Sequence, residues 1–256
     1  MTHWALVTGG SRNIGAAIAK RLRSDGFKVL VSSRTPPAHD AFDEFVAADF
    51  TDPAAAAKAI SEAIGDRLFT RFVHCAGLAI MRPGEDLPLS ELNDVLAVNT
   101  TSFICLTQLL TPIMRRAQIG RIVAIGSRAS LGKEGRLAYS TSKAALTGLT
   151  RTWALELGAA GITINVVAPG PIKTDMYEIH NPVGSYGRKL LSDGIPVGFV
   201  GLPEDVANAV SFFMADGSRY VTGQTLFVCG GSSIAFSDPN RSSVRHLLSD
   251  AYPEVA

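Results

Sequence analysis

The sequence predicts a doubly wound α/β fold in a single domain spanning residues 1–256, with about seven parallel strands and helices on both faces of the sheet. Three observations predict it. Short apolar runs such as WALV, KVLV, RIVAI and ITINVV alternate along the chain with longer segments whose apolar residues recur every three or four positions. The first strand meets the first helix through a glycine turn, TGGSRNIG at 8–15. Hydrophobic residues make up 46% of the chain and charged residues 18%, enough apolar mass for one large core and too much for a disordered chain.

In order, residues 4–10 read as a short buried strand ending in glycines, and Ile14 to Arg23 as a helix, because Ile14, Ala17, Ile18 and Leu22 fall on one stripe. Gly26 stops the helix, and residues 28–33 form a second strand. Strand, turn, helix and strand make a βαβ unit with parallel strands and a right-handed crossover. Pro36-Pro37 break the next segment before a third strand at 45–49. Residues 53–68 read as a helix with Pro53 in its first turn, and 71–77, RFVHCAG, as a fourth strand. Ser90 is placed to cap the next helix, with Asn93 in a capping-box-like position and Leu92, Val95 and Leu96 on its apolar face. That helix continues through VNTTSFICLTQLLTPIM, and Asn99, a poor interior helix residue, calls for a reason. A fifth strand at 120–127 ends at Ser127, and a helix carrying Tyr139 and Lys143 runs to Gly161. A sixth strand at 161–170, a helix at 203–216 and a last strand at 223–231 complete the domain. Residues 175–200 have no sustained period and are rich in glycine and proline, which predicts a substrate lid, with Met176, Tyr177, His180, Tyr186 and Phe199 as pocket lining. Residues 232–256 form a polar tail.

The formal net charge is +1 with no long block of one sign, so nothing points to a nucleic-acid surface. The N-terminus enters a strand at once, without the pattern of a signal peptide, and no uninterrupted apolar run approaches the ~20 residues of a membrane span. Cys75, Cys105 and Cys229 sit in apolar settings without metal spacing and read as thiols of a reducing compartment, so the expected location is cytoplasmic. The histidines show no zinc arrangement, and no metal is expected.

The chemistry concentrates in SRASLGKEGRLAYSTSK, residues 127–143. Ser127 ends a strand on the side where open α/β sheets bind ligands. Tyr139 and Lys143, four apart, share one helix face. A fixed ammonium there is expected to lower the tyrosine pKa; bringing it from ~10 to neutrality takes roughly 4 kcal/mol. Such a pair can pass a proton to or from a carbonyl or alcohol oxygen. The glycine turn lets the backbone approach a ligand and offers helix amides to a phosphate. It is neither G-x-G-x-x-G nor a P-loop, since Ala16-Ala17 stand where Lys-Ser/Thr would be needed.

This turn resembles the Thr-Gly-x-x-x-Gly-x-Gly segment of the short-chain dehydrogenase/reductase family at Thr8, Gly9, Ile14 and Gly15. Asn13 replaces the middle glycine, a variant that the tolerance of Asn for unusual backbone angles allows. Ala76-Gly77 match the end of the family's Asn-Asn-Ala-Gly motif, with His74 and Cys75 in place of both asparagines and better suited to stabilising the strand end than to binding metal. Asn99, Ser127, Tyr139-x-x-x-Lys143 and Pro169-Gly170 follow in the family's order, and Cys229 replaces the aspartate of the usual Val-Asp-Gly-Gly ending. The resemblance covers about residues 3–231 and extends to members like 3-oxoacyl-acyl-carrier-protein reductase.

The resemblance implies a Rossmann-type fold and an oxidoreductase that interconverts a carbonyl and a secondary alcohol with a nicotinamide cofactor. Tyr139 would exchange the proton, Ser127 would hydrogen-bond the reacting oxygen, and Lys143 would support Tyr139 and hold the nicotinamide ribose. Asn99, at a local kink, would hold a water near Lys143. The cofactor would rest on Gly9, Ser11, Arg12, Asn13, Ile14 and Gly15, with Asp49 and Phe50 at the adenine and Ala76 and Gly77 among its contacts. Pro169, Gly170, Ile172 and Thr174 would meet the carboxamide end. Ser33 stands where members that prefer NAD carry an acid, and Arg34 follows, so NADP(H) is favoured over NAD(H).

Ser127 precedes Tyr139 by twelve positions, one fewer than in many family members, and Ser130 is a rival donor. Lys133, Glu134 and Arg136 near the pocket mouth leave room for polar substrates, so polyols or sugars stand beside 3-oxoacyl thioesters as substrate classes. A dinucleotide-sensing regulator without chemistry is the reading from another class, and it does not require Asn99, Ser127, Tyr139 and Lys143 together. Apolar residues around much of two helices (Phe103, Ile104, Leu106, Leu109 and Leu110; Leu146, Leu149, Trp153, Leu155 and Leu157) predict association, and the resemblance implies a homotetramer through them.

Overall fold

The computed structural model describes residues 3–38, 40–185, 189 and 192–235. Its seven strands are β1 (Trp4–Thr8), β2 (Lys28–Ser33), β3 (Glu44–Ala47), β4 (Phe69–His74), β5 (Gly120–Ile125), β6 (Ile162–Pro169) and β7 (Thr225–Val228). They form one parallel sheet in the order β3-β2-β1-β4-β5-β6-β7, which is the expected doubly wound α/β architecture. β1 pairs with both β2 and β4, placing Thr8 opposite Ser32 on one side and His74 on the other. The strand order reverses there, and a crevice opens beyond the carboxyl ends of β1 and β4.

β4, β5 and β6 are buried along their whole length. Central parallel strands are covered on both faces, which is why they read as continuous apolar runs rather than alternating ones. The strand alternation splits the core: Ala5 and Val7 face α1 (Asn13–Ser24) and the helix at Pro203–Met214, while Leu6 faces α2 (Pro53–Ile64), α4 (Ser102–Ala117) and α5 (Leu137–Leu157). α3 (Leu89–Leu96) runs into α4 through a π-helical turn, Ala97–Thr101. α6 (Asp175–His180) follows β6, and Pro203–Met214 is α7. The end of α7 is tied to the sheet by two buried guanidinium groups. Arg71 Nε donates to Met214 O at 2.7 Å and pairs with Asp216, and Arg121 reaches Ala215 O and Asp216 O at 3.3 and 3.2 Å. These take up carbonyls that a helix end leaves open.

Several boundaries differ from the sequence expectation. α3 starts at Leu89 behind Pro88, so Ser90 lies inside the helix and does not cap it. α2 ends at Ile64, where Gly65 takes φ +54, rather than at 68. α5 ends at Leu157, and a 3₁₀ turn carries the chain to Gly161. Gly161 has φ +72 and a Cβ there would lie 2.5 Å from Gln118 O, so only glycine fits the stop. The 175–200 segment opens as helix α6, capped by the Thr174 hydroxyl accepting from Tyr177 N at 3.2 Å, where the sequence showed no period because six residues are too few to reveal one. Within that segment Met176 and Phe199 are exposed and Tyr177 is buried. Tyr186 and residues 236–256 of the tail lie outside the described residues.

The helical run Leu89–Ala117 is 29 residues long and, by length and composition alone, apolar enough to cross a membrane, although polar residues interrupt it throughout. Here Phe103, Leu106, Leu110 and Met114 face the core against β4, β5 and α2. The apolar surplus read on α4 and α5 is likewise mostly this chain's own core. Phe103, Leu106, Leu110, Leu146 and Leu157 are buried, and Leu155, at 88% exposure, is the clear exception.

Candidate active site

β1 ends at Thr8, and the chain turns at Gly9 with φ +66. A Cβ on Gly9 would lie 2.7 Å from Ala76 N, and one on Gly15 only 2.1 Å from Gly9 O. The turn is therefore pressed flat against the end of β4 and the start of α1. Arg12 begins α1 without a side-chain cap, and the first turn carries no acid, so its amides face the crevice ready for an anion. Those two features fit the pyrophosphate of a dinucleotide. Asn13 takes φ +51, as its place in a glycine position requires. Its amide donates to Asp175 Oδ2 at 2.9 Å and accepts from Asp175 N at 3.2 Å, joining the turn to the start of α6. Ser11 and Ile14 are half-buried, and Arg12 is exposed.

Beneath the turn, Thr8 Oγ1 accepts from Cys75 N and Ala76 N, both at 3.2 Å, and donates to His74 Nδ1 at 3.0 Å. His74 Nε2 then donates to Val98 O at 3.2 Å, which assigns the neutral tautomer with its proton on Nε2. Burial, with Lys143 adding to it, pushes the His74 pKa down to about 3. The residue stabilises the strand end, as expected, and no cluster of metal-ligating groups occurs among the described residues.

Ser127 lies two residues beyond β5. Its hydroxyl accepts from Ala129 N at 3.1 Å and reaches the Tyr139 phenol. It is thus Ser127, not Ser130, that stands at the tyrosine. Tyr139 is in the first turn of α5, and Lys143 Nζ lies 5.7 Å from its ring centroid. Lys143 donates to Ile125 O at 2.7 Å, and burial brings its pKa down to about 8. Tyr139 does not follow the sequence expectation. Burial pushes its phenol up, while the bond to Ser127 and the Arg136 guanidinium act against that rise. Desolvation outweighs charge support because it disfavours both ionised forms, and the ammonium is turned toward a strand carbonyl.

Asn99 sits fully buried in the π turn, the kink that its position implied. Its Oδ1 accepts from Leu78 N at 2.8 Å, and its Nδ2 donates to Leu78 O at 2.9 Å and Ser142 Oγ at 2.8 Å. The side chain therefore locks the loop after β4 to α5. A Cβ on Gly77 would lie 3.6 Å from Asn99 Oδ1 and 3.8 Å from Lys143 Nζ, so the exposed Gly77 floors this part of the crevice, next to the buried Ala76.

At the far end, Ser33 is buried with its hydroxyl on Thr35 O at 2.8 Å, and Arg34 is exposed. Asp49 Oδ1 accepts from Thr51 N and Oγ1 at 3.0 and 2.9 Å. Those bonds hold the carboxyl below its usual range, and Arg34 adds to the effect. Phe50 follows Asp49 at the place expected for the adenine. Its ring is in the core, 5% exposed and edge-on to His74 at 6.3 Å, so only its backbone is available to an adenine. Pro169 ends β6, and Gly170 packs so closely on Cys229 that a Cβ would lie 2.6 Å from the cysteine Cβ. Ile172 is buried in a bridge to Gly201, and the Thr174 hydroxyl caps α6, so both present backbone more than side chain.

A family model described as "Enoyl-(Acyl carrier protein) reductase" matches residues 9–233. The chain belongs to the short-chain dehydrogenase/reductase family. Over 245 residues it is 34% identical to the 3-oxoacyl-(acyl-carrier-protein) reductase FabG of Escherichia coli (strain K12), covering 89% of this chain and 96% of that one. It is 35% identical over 242 residues to the (2S)-((R)-hydroxy(phenyl)methyl)succinyl-CoA dehydrogenase subunit BbsD of Thauera aromatica, covering 90% and 96%. Among solved structures it is similar to one from Beutenbergia cavernae, described as an NAD(P)-dependent gluconate 5-dehydrogenase with bound NADP at low occupancy. That comparison gives a TM-score of 0.85 and 32% identity, covering 91% of this chain and 97% of the other. The protein is accordingly an oxidoreductase of this family acting on CH–OH groups.

The sequence placed two further residues near the site, Cys75 and Arg136, but not their contact with Tyr139. Cys75 lies within reach of the Lys143 charge and itself acts on Tyr139, and burial pushes its thiol up to about 12, so it stays protonated. Arg136 places its guanidinium carbon 5.9 Å from the Tyr139 ring centroid. The sequence put Arg136 near the pocket mouth, and the structure brings its guanidinium to the tyrosine ring.

Proposed function

We propose that this short-chain dehydrogenase/reductase is an NADP(H)-dependent enzyme that interconverts a ketone and a secondary alcohol, with Tyr139 as the proton-exchanging residue. The observation that carries the reading is the convergence of Ser127, Tyr139 and Lys143 beside Gly77, at the mouth of the crevice whose other end is the bare N-terminus of α1. When bound, the nicotinamide supplies or accepts the hydride at the carbon that carries the oxygen. In reduction the Tyr139 phenol gives its proton to the carbonyl oxygen, and the Ser127 hydroxyl donates a hydrogen bond to that oxygen as charge builds on it. Burial keeps Tyr139 protonated at neutral pH, the state that reduction needs. Lys143 favours the tyrosinate left behind, and Asn99 holds α5 against the loop that carries Gly77.

The preference for NADP(H) rests on the end of β2. Ser33 offers no carboxylate to repel a 2′-phosphate, and the exposed Arg34 offers a fork to bind one. Loss of such charge-assisted bonds costs about 10- to 100-fold. We expect kcat/KM with NADPH to exceed that with NADH by about that factor, and Arg34→Ala to narrow the gap. Equal efficiency with the two cofactors would overturn the preference. For the substrate, the similarity to FabG and BbsD supports a 3-oxoacyl thioester or related acyl thioester. A polyol or sugar derivative is the second reading, favoured by the cationic segment between Ser127 and Tyr139 and by the likeness to the Beutenbergia structure.

A further inference from the structure

The segment between Ser127 and Tyr139 gathers Arg128, Lys133 and Arg136 without balancing them. None of the three has a salt bridge among the described residues, and the one acid in the segment, Glu134, is exposed and pairs with none of them. Partial burial lowers the Lys133 pKa, and Arg136 and Arg128 beside it lower it further. Arg128 has only a distant bond to Ser232 O at 3.4 Å. Arg82, which clips the segment down through its N–H to Gly135 O at 3.0 Å, has its own carboxylate partner in Glu91. Arg136 has none, and its Nε is buried with no hydrogen-bond partner. That N–H is enclosed by the protein, so a substrate would meet the half-buried guanidinium through its outer Nη groups, whose planar fork matches a carboxylate.

Arg136 precedes α5 directly, so its guanidinium and the Tyr139 phenol rise from the same first turn, 5.9 Å apart from guanidinium carbon to ring centroid. An anion bound by Arg136 is therefore only a few bonds from an oxygen held at Tyr139. A phosphate at the far end of a long carrier arm sits too many bonds from the carbonyl to reach both. We propose that Arg136 recognises a carboxylate of the substrate itself, a few bonds from the carbon that exchanges hydride. The substrate class is then an oxo or hydroxy acid, or an acyl thioester bearing a free carboxylate nearby, rather than a plain ketone or a simple 3-oxoacyl thioester. The inference rests on the carbonyl–alcohol reading above and narrows it.

The test uses the whole protein with NADPH and pairs of probes: 2-oxo and 3-oxo carboxylates of four to six carbons and their methyl esters. The acid should be preferred by about 10- to 100-fold in kcat/KM. Arg136→Met should collapse the acid-to-ester ratio toward one, chiefly through KM, and Arg136→Lys should restore part of it. An arginine that only tunes Tyr139 would change acid and ester alike and shift the pH profile of both. If esters are reduced as well as acids, or the variant lowers both equally, the inference falls and the carbonyl reading stands. If neither acids, esters nor neutral ketones oxidise NADPH, the carbonyl reading falls and takes the inference with it.

Discussion

Lys143 shows how far one residue is held from its preferred state. The residue is 3% exposed, its ammonium is bonded to one carbonyl, and burial brings its pKa down to about 8 from 10.5. The sign of the consequence is fixed by linkage. Below about pH 8 the folded protein bears the full penalty of the buried charge, and the penalty fades as pH rises toward the unfolded value. Lys143→Met should therefore stabilise the cofactor-free protein at neutral pH by about 1–3 kcal/mol, the lost bond to Ile125 O offsetting part of the gain. The gain should vanish above pH 10.5. Thermal unfolding at both pH values checks this, and a lower melting temperature for the variant at pH 7 would contradict it. The sequence showed which two side chains share a helix face but not their direction of titration, because burial is a property of the packed molecule. Phe50 makes the same point: its place after β3 was legible, but its ring belongs to the core.

At the scale of elements, the carboxyl end of β4 is organised by one imidazole. His74 links Thr8 on β1 to Val98 in the π turn and packs between Phe72 and Phe103 with ring centroids 6.2 and 5.5 Å away. It must stay neutral in the fold. Between its unfolded value of 6.5 and its folded value near 3, the unfolded chain binds the extra proton, so stability falls as pH falls through that window. The total is on the order of 5 kcal/mol. His74→Asn, the residue type the family carries at this position, should lower stability at pH 7 through lost packing, yet flatten its slope between pH 6.5 and 4. Urea unfolding across that range reads the slope, and parallel curves for the two proteins would refute the assignment. Strands were legible because parallel sheet interiors are continuous apolar runs, and Asn13 and Asn99 were legible because each breaks a local rule at a place where backbone geometry demands it. The short α6 and the 3₁₀ turn after α5 were not, since neither is long enough to show a period. The buried Arg71 and Arg121 were hidden for a different reason: their partners are backbone carbonyls more than ninety residues away.

For the whole molecule, the sheet order places the bare amides of α1, the floor at Gly77 and the Ser127–Tyr139–Lys143 group along one crevice at the switch point. The two ends of that crevice come from the start and the middle of the chain, and only the fold makes them one site. On the proposed reading, Tyr139 exchanges the proton while the rest of the crevice binds cofactor without needing the hydroxyl. The direct test is Tyr139→Phe, assayed for NADPH binding and for turnover of a ketone that the unaltered protein reduces. Binding should stay within a few-fold and turnover should fall by about 10²- to 10⁴-fold; near-normal turnover in this variant would contradict the account.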